Sequence, residues 1–262
     1  VRIVTRGDVT ASDLLVEGGR LLRRMRVTGP QIAYDADAGS VTVPGAGTFL
    51  LADYRPPRQA ADDATSPEPA ERLRRPYQVT FQWGELMRLN LRGDSNTPGV
   101  AASDRAITMT GGVGAVFVSG RHVVVRERMA LPEWPELTAG RQTSLECRKL
   151  VAIFDDPNRP PDAAGRGPGV GEMKSFTASG NVHMVDGEVV RRSAAAELLD
   201  YERKNDLVKL VGSLPGQPDR KAMFVVEDPT RRRPQRFRGD EIYWYRRNDR
   251  IRAVGAEGAG TR

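Results

Sequence analysis

The chain alternates apolar and polar residues over long stretches, most clearly in residues 176–212. Because successive side chains of a strand point to opposite faces of the sheet, alternation of this kind predicts strands with one apolar and one polar face. Asp186-Gly187 and Asn205-Asp206 mark the two clearest reversals, since such dipeptides tolerate the positive φ of tight hairpin turns. The apolar face around the second turn comprises Leu199, Tyr201, Val208 and Leu210.

The same hairpin pattern occurs three times, in residues 34–45, 201–212 and 244–255, which align without a gap. Equivalent apolar positions are Ile32, Leu199 and Ile242; Tyr34, Tyr201 and Trp244; and Val41, Val208 and Ile251. The turn pairs are Ala38-Gly39, Asn205-Asp206 and Asn248-Asp249. If each pair is a two-residue loop, Tyr34 lies opposite Val43, Tyr201 opposite Leu210 and Trp244 opposite Ala253, with each apolar set on a single face. A repeated unit that cannot bury its apolar face alone implies a stacked array.

The rest of the pattern divides the chain into segments. Residues 1–54 are predicted to form an N-terminal repeat segment, and residues 55–75, rich in Pro, Ala and charge, a linker or loop. Residues 76–255 continue the repeats, with a flexible insertion at 156–171, and residues 256–262 form a disordered tail.

Three local features refine this interpretation. Turns are predicted at Glu17-Gly18-Gly19 and at Ser119-Gly120, and a first short strand at residues 1–9. Residues 194–199 have high helix propensity, but the equivalent positions in the other two copies do not. We therefore predict a strand there as well, and the fold class is all-β and antiparallel.

Composition narrows the function classes. The chain has 40 basic and 34 acidic residues, a net charge of +6, a hydrophobic fraction of 39% and one cysteine, Cys147. The single cysteine excludes an internal disulfide and a cysteine zinc cluster. The net charge favours anionic partners only weakly. His122 and His183 belong to no recognisable catalytic or metal motif, so we expect no enzyme, metal or cofactor. Few aromatic residues interleave with the arginines, so no nucleic acid partner is expected.

The repeat resembles the OstA-like family, the LptA-like lipopolysaccharide-transport β-jellyroll repeat. The residues that carry the resemblance are Ala178, Gly180, Asn181, Val182, Ala196, Leu199, Tyr201 and Gly212, with weaker copies at 32–45, 109–113 and 239–255. The resemblance implies an elongated, V-shaped stack of antiparallel strands, open along one side and apolar within. In the family this groove shields lipid acyl chains in the bacterial periplasm, and modules stack head to tail.

The resemblance implies a lipid groove along the apolar stripe. Its candidate residues are Ile32, Tyr34, Val41, Val43, Phe176, Ala178, Val182, Leu199, Tyr201, Val208, Leu210, Ile242, Trp244 and Ile251. Candidates for holding an anionic headgroup are Arg191, Arg192, Arg246 and Arg247. The same stripe also fits an ordinary dry core, and the arginines also fit a solvated surface.

Two function classes stay open on the sequence. One is a non-enzymatic protein of the periplasm or cell envelope that binds or guides amphiphilic, lipopolysaccharide-like lipid. The other is a structural adaptor that pairs with other envelope transport proteins, or with itself, through exposed edge strands at residues 1–9 and near Ile251. Because Val1 falls inside a predicted strand, we expect a signal sequence upstream of this stretch.

Overall fold

The computed structural model describes residues 2–17, 20–54, 77–90, 105–124, 136–154, 173–216 and 219–255. These residues form one antiparallel sheet of 15 strands and contain no helix. The strands are β1 (Arg2–Glu17), β2 (Arg20–Asp35), β3 (Ser40–Pro44), β4 (Gly47–Asp53), β5 (Tyr77–Trp83), β6 (Leu86–Asn90), β7 (Arg105–Val124), β8 (Glu136–Phe154), β9 (Met173–Gly187), β10 (Arg191–Glu202), β11 (Leu207–Val211), β12 (Ala222–Glu227), β13 (Gln235–Gly239), β14 (Glu241–Tyr245) and β15 (Arg250–Val254). The predicted all-β antiparallel class is confirmed.

Three of the long strands, β2, β7 and β10, each pair with two different short strands, one along each end. One end of β7 pairs with β6 and the other with β5, while β10 pairs with β11 at one end and β12 at the other. The sheet is therefore built of two half-sheets that share the long strands. Half-sheet A contains β3, β6, β11, β14 and β15, and half-sheet B contains β4, β5, β12 and β13.

The two half-sheets fold towards each other, so their inner faces meet in a V. Phe224 on β12 and Trp244 on β14 belong to opposite half-sheets, yet their ring centroids lie 5.2 Å apart. Buried residues of both half-sheets form a single hydrophobic cluster. A V of antiparallel strands with an apolar interior is the architecture that the OstA-like resemblance of the sequence implies.

The bends of the V lie where the strand pairing shifts register. On β7 and β8 the shifts fall between Thr110 and Val113 and between Glu146 and Lys149. Glycine supplies the backbone freedom at the first of these, since Gly111 has a φ of +85°. That conformation is accessible to glycine and strained for other residues.

Replacing Gly111 with Ala is expected to destabilise the fold by about 1–3 kcal/mol. A Cβ at this position would lie 2.5 Å from the backbone nitrogen of Glu85, and the positive φ adds strain. Gly114→Ala on the same strand is the matched control, because a Cβ there meets no atom within 4 Å. Urea denaturation should show a lower midpoint for the first variant only, and equal midpoints would contradict the bend.

The hairpin turns differ from the predicted two-residue loops. Glu202 pairs with Leu207, so the loop between β10 and β11 has four residues, and the other two copies have the same length. Tyr201 therefore lies opposite Val208, Tyr34 opposite Val41 and Trp244 opposite Ile251, contrary to the prediction. The register differs by two residues, which keeps every side chain on the predicted face. Only the last loop residue has positive φ: Gly39, Asp206 and Asp249.

Two other turn predictions are wrong, while the strand prediction at residues 194–199 is confirmed by β10. Asp186-Gly187 belongs to β9, and the chain reverses over residues 188–190 instead. Ser119-Gly120 continues β7, because its partner β8 extends alongside it. The first strand extends to Glu17, since it follows the whole of β2. The linker, the insertion and the tail, predicted at 55–75, 156–171 and 256–262, lie outside the described residues.

Candidate functional site

The predicted groove residues meet on the inner face of the V, with one exception. Nine are buried members of the hydrophobic cluster: Val43, Ala178, Val182, Leu199, Tyr201, Val208, Leu210, Ile242 and Trp244. Four are partly buried and pack against it: Ile32, Val41, Phe176 and Ile251. Their common face follows from the period-two pattern, which the three hairpins share.

Tyr34 is the exception, because its side chain is 36% exposed. Its neighbours across the strands are Val41 on β3 and Ile3 on β1, and Ile3 is itself exposed. The ring lies beside the edge strand at the N-terminal end of the array. Tyr34 therefore lies on the predicted face, opposite Val41, but its side chain is not covered as those of Tyr201 and Trp244 are.

The interior between the half-sheets, which we call the cleft, is closely packed. A cavity of about 10 Å³ lies between them, lined only by apolar side chains. The lining residues are Phe81, Phe117, Leu145, Leu150, Ala152, Met173 and Phe176. This cavity has room for about one water molecule, so it does not hold an acyl chain in this conformation.

The mouth of the V, opposite the bends, is held by side chains. Among the described strands, each backbone pairing joins neighbours in the sheet, and none joins the tip of half-sheet A to the tip of half-sheet B. Separation of the two tips would break side-chain contacts but no ladder of backbone hydrogen bonds. The mouth is thus the side on which the interior can open.

Charged residues lie at the C-terminal part of this mouth, and we call them the rim network. Its members are Arg141, Asp186, Arg192, Asp206, Arg246 and Asp249. The long strands contribute three members at the ends that belong to half-sheet B: Arg141 from β8, Asp186 from β9 and Arg192 from β10. The loops at the tip of half-sheet A contribute the other three. The network therefore spans the mouth.

Arg141 and Asp186 form the buried pair of the rim network. Arg141 Nε donates to Asp186 Oδ1 at 2.8 Å, and Thr143 Oγ1 donates to the same oxygen at 2.6 Å. The carboxylate of Asp186 is only 2% exposed. Burial opposes its ionisation, but these hydrogen bonds outweigh burial and hold the pKa of Asp186 below its ordinary value.

Arg192 and Asp249 form the pair that crosses the mouth. Arg192 donates from Nη2 and Nε to the two carboxylate oxygens of Asp249, at 2.6 and 3.1 Å. Trp244 Nε1 also donates to Asp249, at 2.9 Å, and the Arg192 guanidinium lies 5.6 Å from the Trp244 ring. Burial opposes ionisation of Asp249, but these hydrogen bonds place its pKa below the ordinary value.

The third pair stays within the tip of half-sheet A. Arg246 Nη1 lies 3.6 Å from Asp206 Oδ1, and its guanidinium lies 5.7 Å from the Tyr201 ring. Asp206 is buried, with a side chain 6% exposed. Asp206 and Asp249 also favour the charged form of Arg141, and Arg246 favours that of Asp186. The charges of the two tips are therefore electrostatically coupled.

The structure places the four predicted headgroup arginines in two settings. Arg192 and Arg246 lie at the mouth and contact aspartates of this chain. Arg191 is exposed, with Nε 4.0 Å from Glu227, and Arg247 is exposed on the loop after β14. Two of the four candidates thus lie at the mouth of the cleft, and the other two lie on the surface.

Sequence reasoning missed the acidic half of the rim network. The sequence pattern indicates Asp186, Asp206 and Asp249 only as turn residues. One signal was present, because two of the three hairpin copies carry the same Asn-Asp pair. The pairing itself depends on tertiary structure, since Arg192 and Asp249 are 57 residues apart.

The described residues offer little for catalysis or metal binding. Burial raises the pKa of the Cys147 thiol to about 11, so the reactive thiolate is disfavoured. His183 is exposed on β9, and the side chain of His122 lies outside the described residues. Within the described ranges, no group of three or more His, Cys, Asp or Glu residues is placed to hold a metal ion. No helix in this part of the chain is long and apolar enough to cross a membrane.

Comparison with models of known protein families gives no match to this chain, and comparison with curated protein sequences gives no significant match.

Proposed function

We propose that this protein is a non-enzymatic module that binds and guides the acyl chains of an anionic, lipopolysaccharide-like lipid between its two half-sheets. The observation that carries the proposal is the apolar cluster, which extends from β3 to β14 between faces that no backbone pairing joins at the mouth. Acyl chains match this apolar lining, and arginines at the mouth match the phosphates of such a lipid. The OstA-like resemblance of the sequence supports the same ligand and a location in the periplasm or cell envelope.

The packed interior means that lipid binding requires movement. An acyl chain needs far more room than the 10 Å³ cavity provides, so the tips must separate when lipid enters. Phe176 lines that cavity, and its ring lies 5.3 Å from the Tyr201 ring. Separation would exchange side-chain contacts for equivalent contacts with the lipid, which keeps the apolar surface away from water.

A photo-reactive benzoylphenylalanine at position 176 is expected to cross-link to purified lipopolysaccharide. The same group at position 189 is the control, because Val189 is 72% exposed on the loop between β9 and β10. Mass spectrometry should show an adduct at position 176 and none at 189. Equal labelling at both positions, or none with lipopolysaccharide or phosphatidylglycerol vesicles, would refute the proposal.

The edge strand β1 favours a second candidate function, that of an adaptor. It pairs with β2 along its length, and β2 is its only partner among the described strands. Four of its apolar side chains are exposed: Ile3, Val4, Leu14 and Val16. Long edge strands with exposed apolar residues are available for pairing with another chain. Absence of lipid adducts, together with self-association in light scattering, would favour the adaptor.

A further inference from the structure

The three ion pairs of the rim network differ in where they lie and how exposed they are. Arg141–Asp186 lies within half-sheet B, and its carboxylate is 2% exposed. Arg246–Asp206 lies within the tip of half-sheet A, and its carboxylate is 6% exposed. Arg192–Asp249 joins the two half-sheets, and its carboxylate is 49% exposed. It is the one pair of the three that both crosses the mouth and reaches water.

We propose that Arg192–Asp249 is an ion-pair latch on the cleft, and that a phosphate group of the ligand opens it by replacing Asp249 on Arg192. This inference rests on the proposed function, because it assigns the regulation of the same cleft. Before ligand arrives, the carboxylate of Asp249 occupies the position on the guanidinium that a phosphate oxygen pair takes afterwards.

The chemistry of arginine makes this exchange possible. A guanidinium presents parallel N–H donors that fit a carboxylate and a phosphate in the same bidentate way. Arg192 already uses Nε and Nη2 in this manner on Asp249. The guanidinium of Arg192 also lies over the Trp244 ring, and this contact keeps it at the mouth when phosphate replaces Asp249.

Exposure decides which of the three pairs exchanges. Once released, the Asp249 carboxylate can be solvated by water, so its loss of Arg192 is compensated. Release of Asp186 or Asp206 would instead leave a buried carboxylate without its ion-pair partner, which is strongly unfavourable. Those two pairs therefore keep the tips intact while the latch between the tips opens.

The latch is tested by measuring the distance between the tips. Spin labels at Val189→Cys, on the tip of half-sheet B, and Lys204→Cys, on the tip of half-sheet A, report it by double electron–electron resonance in a Cys147→Ala background. Both labelled residues are exposed. Asp249→Asn is expected to give a longer mean distance and a broader distribution without any ligand. Asn can still accept the Trp244 hydrogen bond, so the variant removes the charge and retains the shape.

Asp240→Asn is the matched control. Asp240 also forms an exposed ion pair, with Lys221, but it lies between β13 and β14 and away from the mouth. Its distance distribution should equal that of the unmutated pair of labels. Equal distributions for Asp249→Asn and Asp240→Asn, with circular dichroism showing both folded, would overturn the latch.

Ligand specificity is tested on the same labelled protein. Inorganic phosphate should broaden the distribution, whereas sodium chloride at equal ionic strength should not, and lipopolysaccharide should shift it to longer distances. Identical effects of phosphate and chloride would overturn release by phosphate. An effect of inorganic phosphate without any effect of lipopolysaccharide would assign the site to free phosphate and overturn the lipid assignment.

The latch and the proposed function fail in distinguishable ways. Lipid adducts at position 176 with an unchanged tip distance in Asp249→Asn would retain the function and overturn the latch. A widened mouth in Asp249→Asn without lipid adducts would retain the latch contact and refute lipid binding.

Discussion

Leu199→Arg is expected to abolish the folded state. Leu199 is fully buried, and its partners across β9 and β11, Ala178 and Leu210, are fully buried as well. An arginine there would place a charge in the packed interior with no carboxylate to pair with it. The expected loss is about 4–5 kcal/mol or more, most of the stability of an ordinary domain. Circular dichroism and urea denaturation would show an unfolded or barely stable chain.

Met223→Arg is the control for this substitution. Met223 is 45% exposed on β12, so an arginine there keeps its charge in water. Its stability should stay within about 0.5 kcal/mol of the wild type. If Leu199→Arg instead folds normally, the interior opens to water in solution, because a long side chain can then extend its charge out of an open groove. That result would contradict the closely packed cleft.

The repeated hairpins show why the face of each residue was predictable although the turn was not. The side-chain period of a strand is two, so an error of two residues in loop length leaves every residue on its face. Leu199, Tyr201, Val208 and Leu210 are buried together for this reason. The loop length depends on the type of turn, and an Asn-Asp pair is compatible with both a two-residue loop and the end of a four-residue loop.

The bends were beyond the reach of the alternation pattern. The weaker repeat copy at 109–113 aligns Gly111 with Gly180, and both glycines do lie at register shifts with positive φ. A period-two pattern continues unchanged through a bulge that bends a strand. It therefore predicts one long strand and does not indicate that its two ends belong to facing half-sheets.

Burial of single residues at the ends of the array also escaped prediction. Tyr34 occupies the same repeat position as Tyr201 and Trp244, yet it is exposed, because it lies beside the edge strand β1 at the end of the array. The rim network escaped for a related reason. Its pairs join residues far apart in sequence, such as Arg141 and Asp186, and only the folded V brings them together.

Arg141→Met is expected to destabilise the protein by about 3 kcal/mol at neutral pH. It removes the arginine from Asp186 and leaves a carboxylate that is 2% exposed without its ion-pair partner. Methionine retains much of the packing volume, so the loss reports the uncompensated charge. Lys149→Met, at an exposed position of the same strand, should change the free energy of unfolding by less than about 0.5 kcal/mol.

A second substitution and a change of pH separate the charge from packing. The double variant Arg141→Met/Asp186→Leu should recover most of the loss, because it removes the buried carboxylate along with its partner. Acid should also reduce the difference between wild type and Arg141→Met. In the wild type the folded pKa of Asp186 is lowered, so the pair stabilises the fold above the unfolded pKa of about 3.9, and this stabilisation disappears as pH falls through the lower folded pKa.

In Arg141→Met, the hydrogen bonds of the arginine no longer offset the burial of Asp186. The folded pKa of Asp186 should therefore rise above its unfolded value. The destabilisation is then complete above the raised pKa and decreases as the carboxylate takes up a proton. Urea denaturation at pH 7 and at about pH 4.5 should therefore give a smaller difference between the two proteins at the lower pH. An equal difference at both pH values would mean that Arg141 acts through packing of its side chain, and that the buried pair contributes no electrostatic stabilisation to the mouth of the cleft.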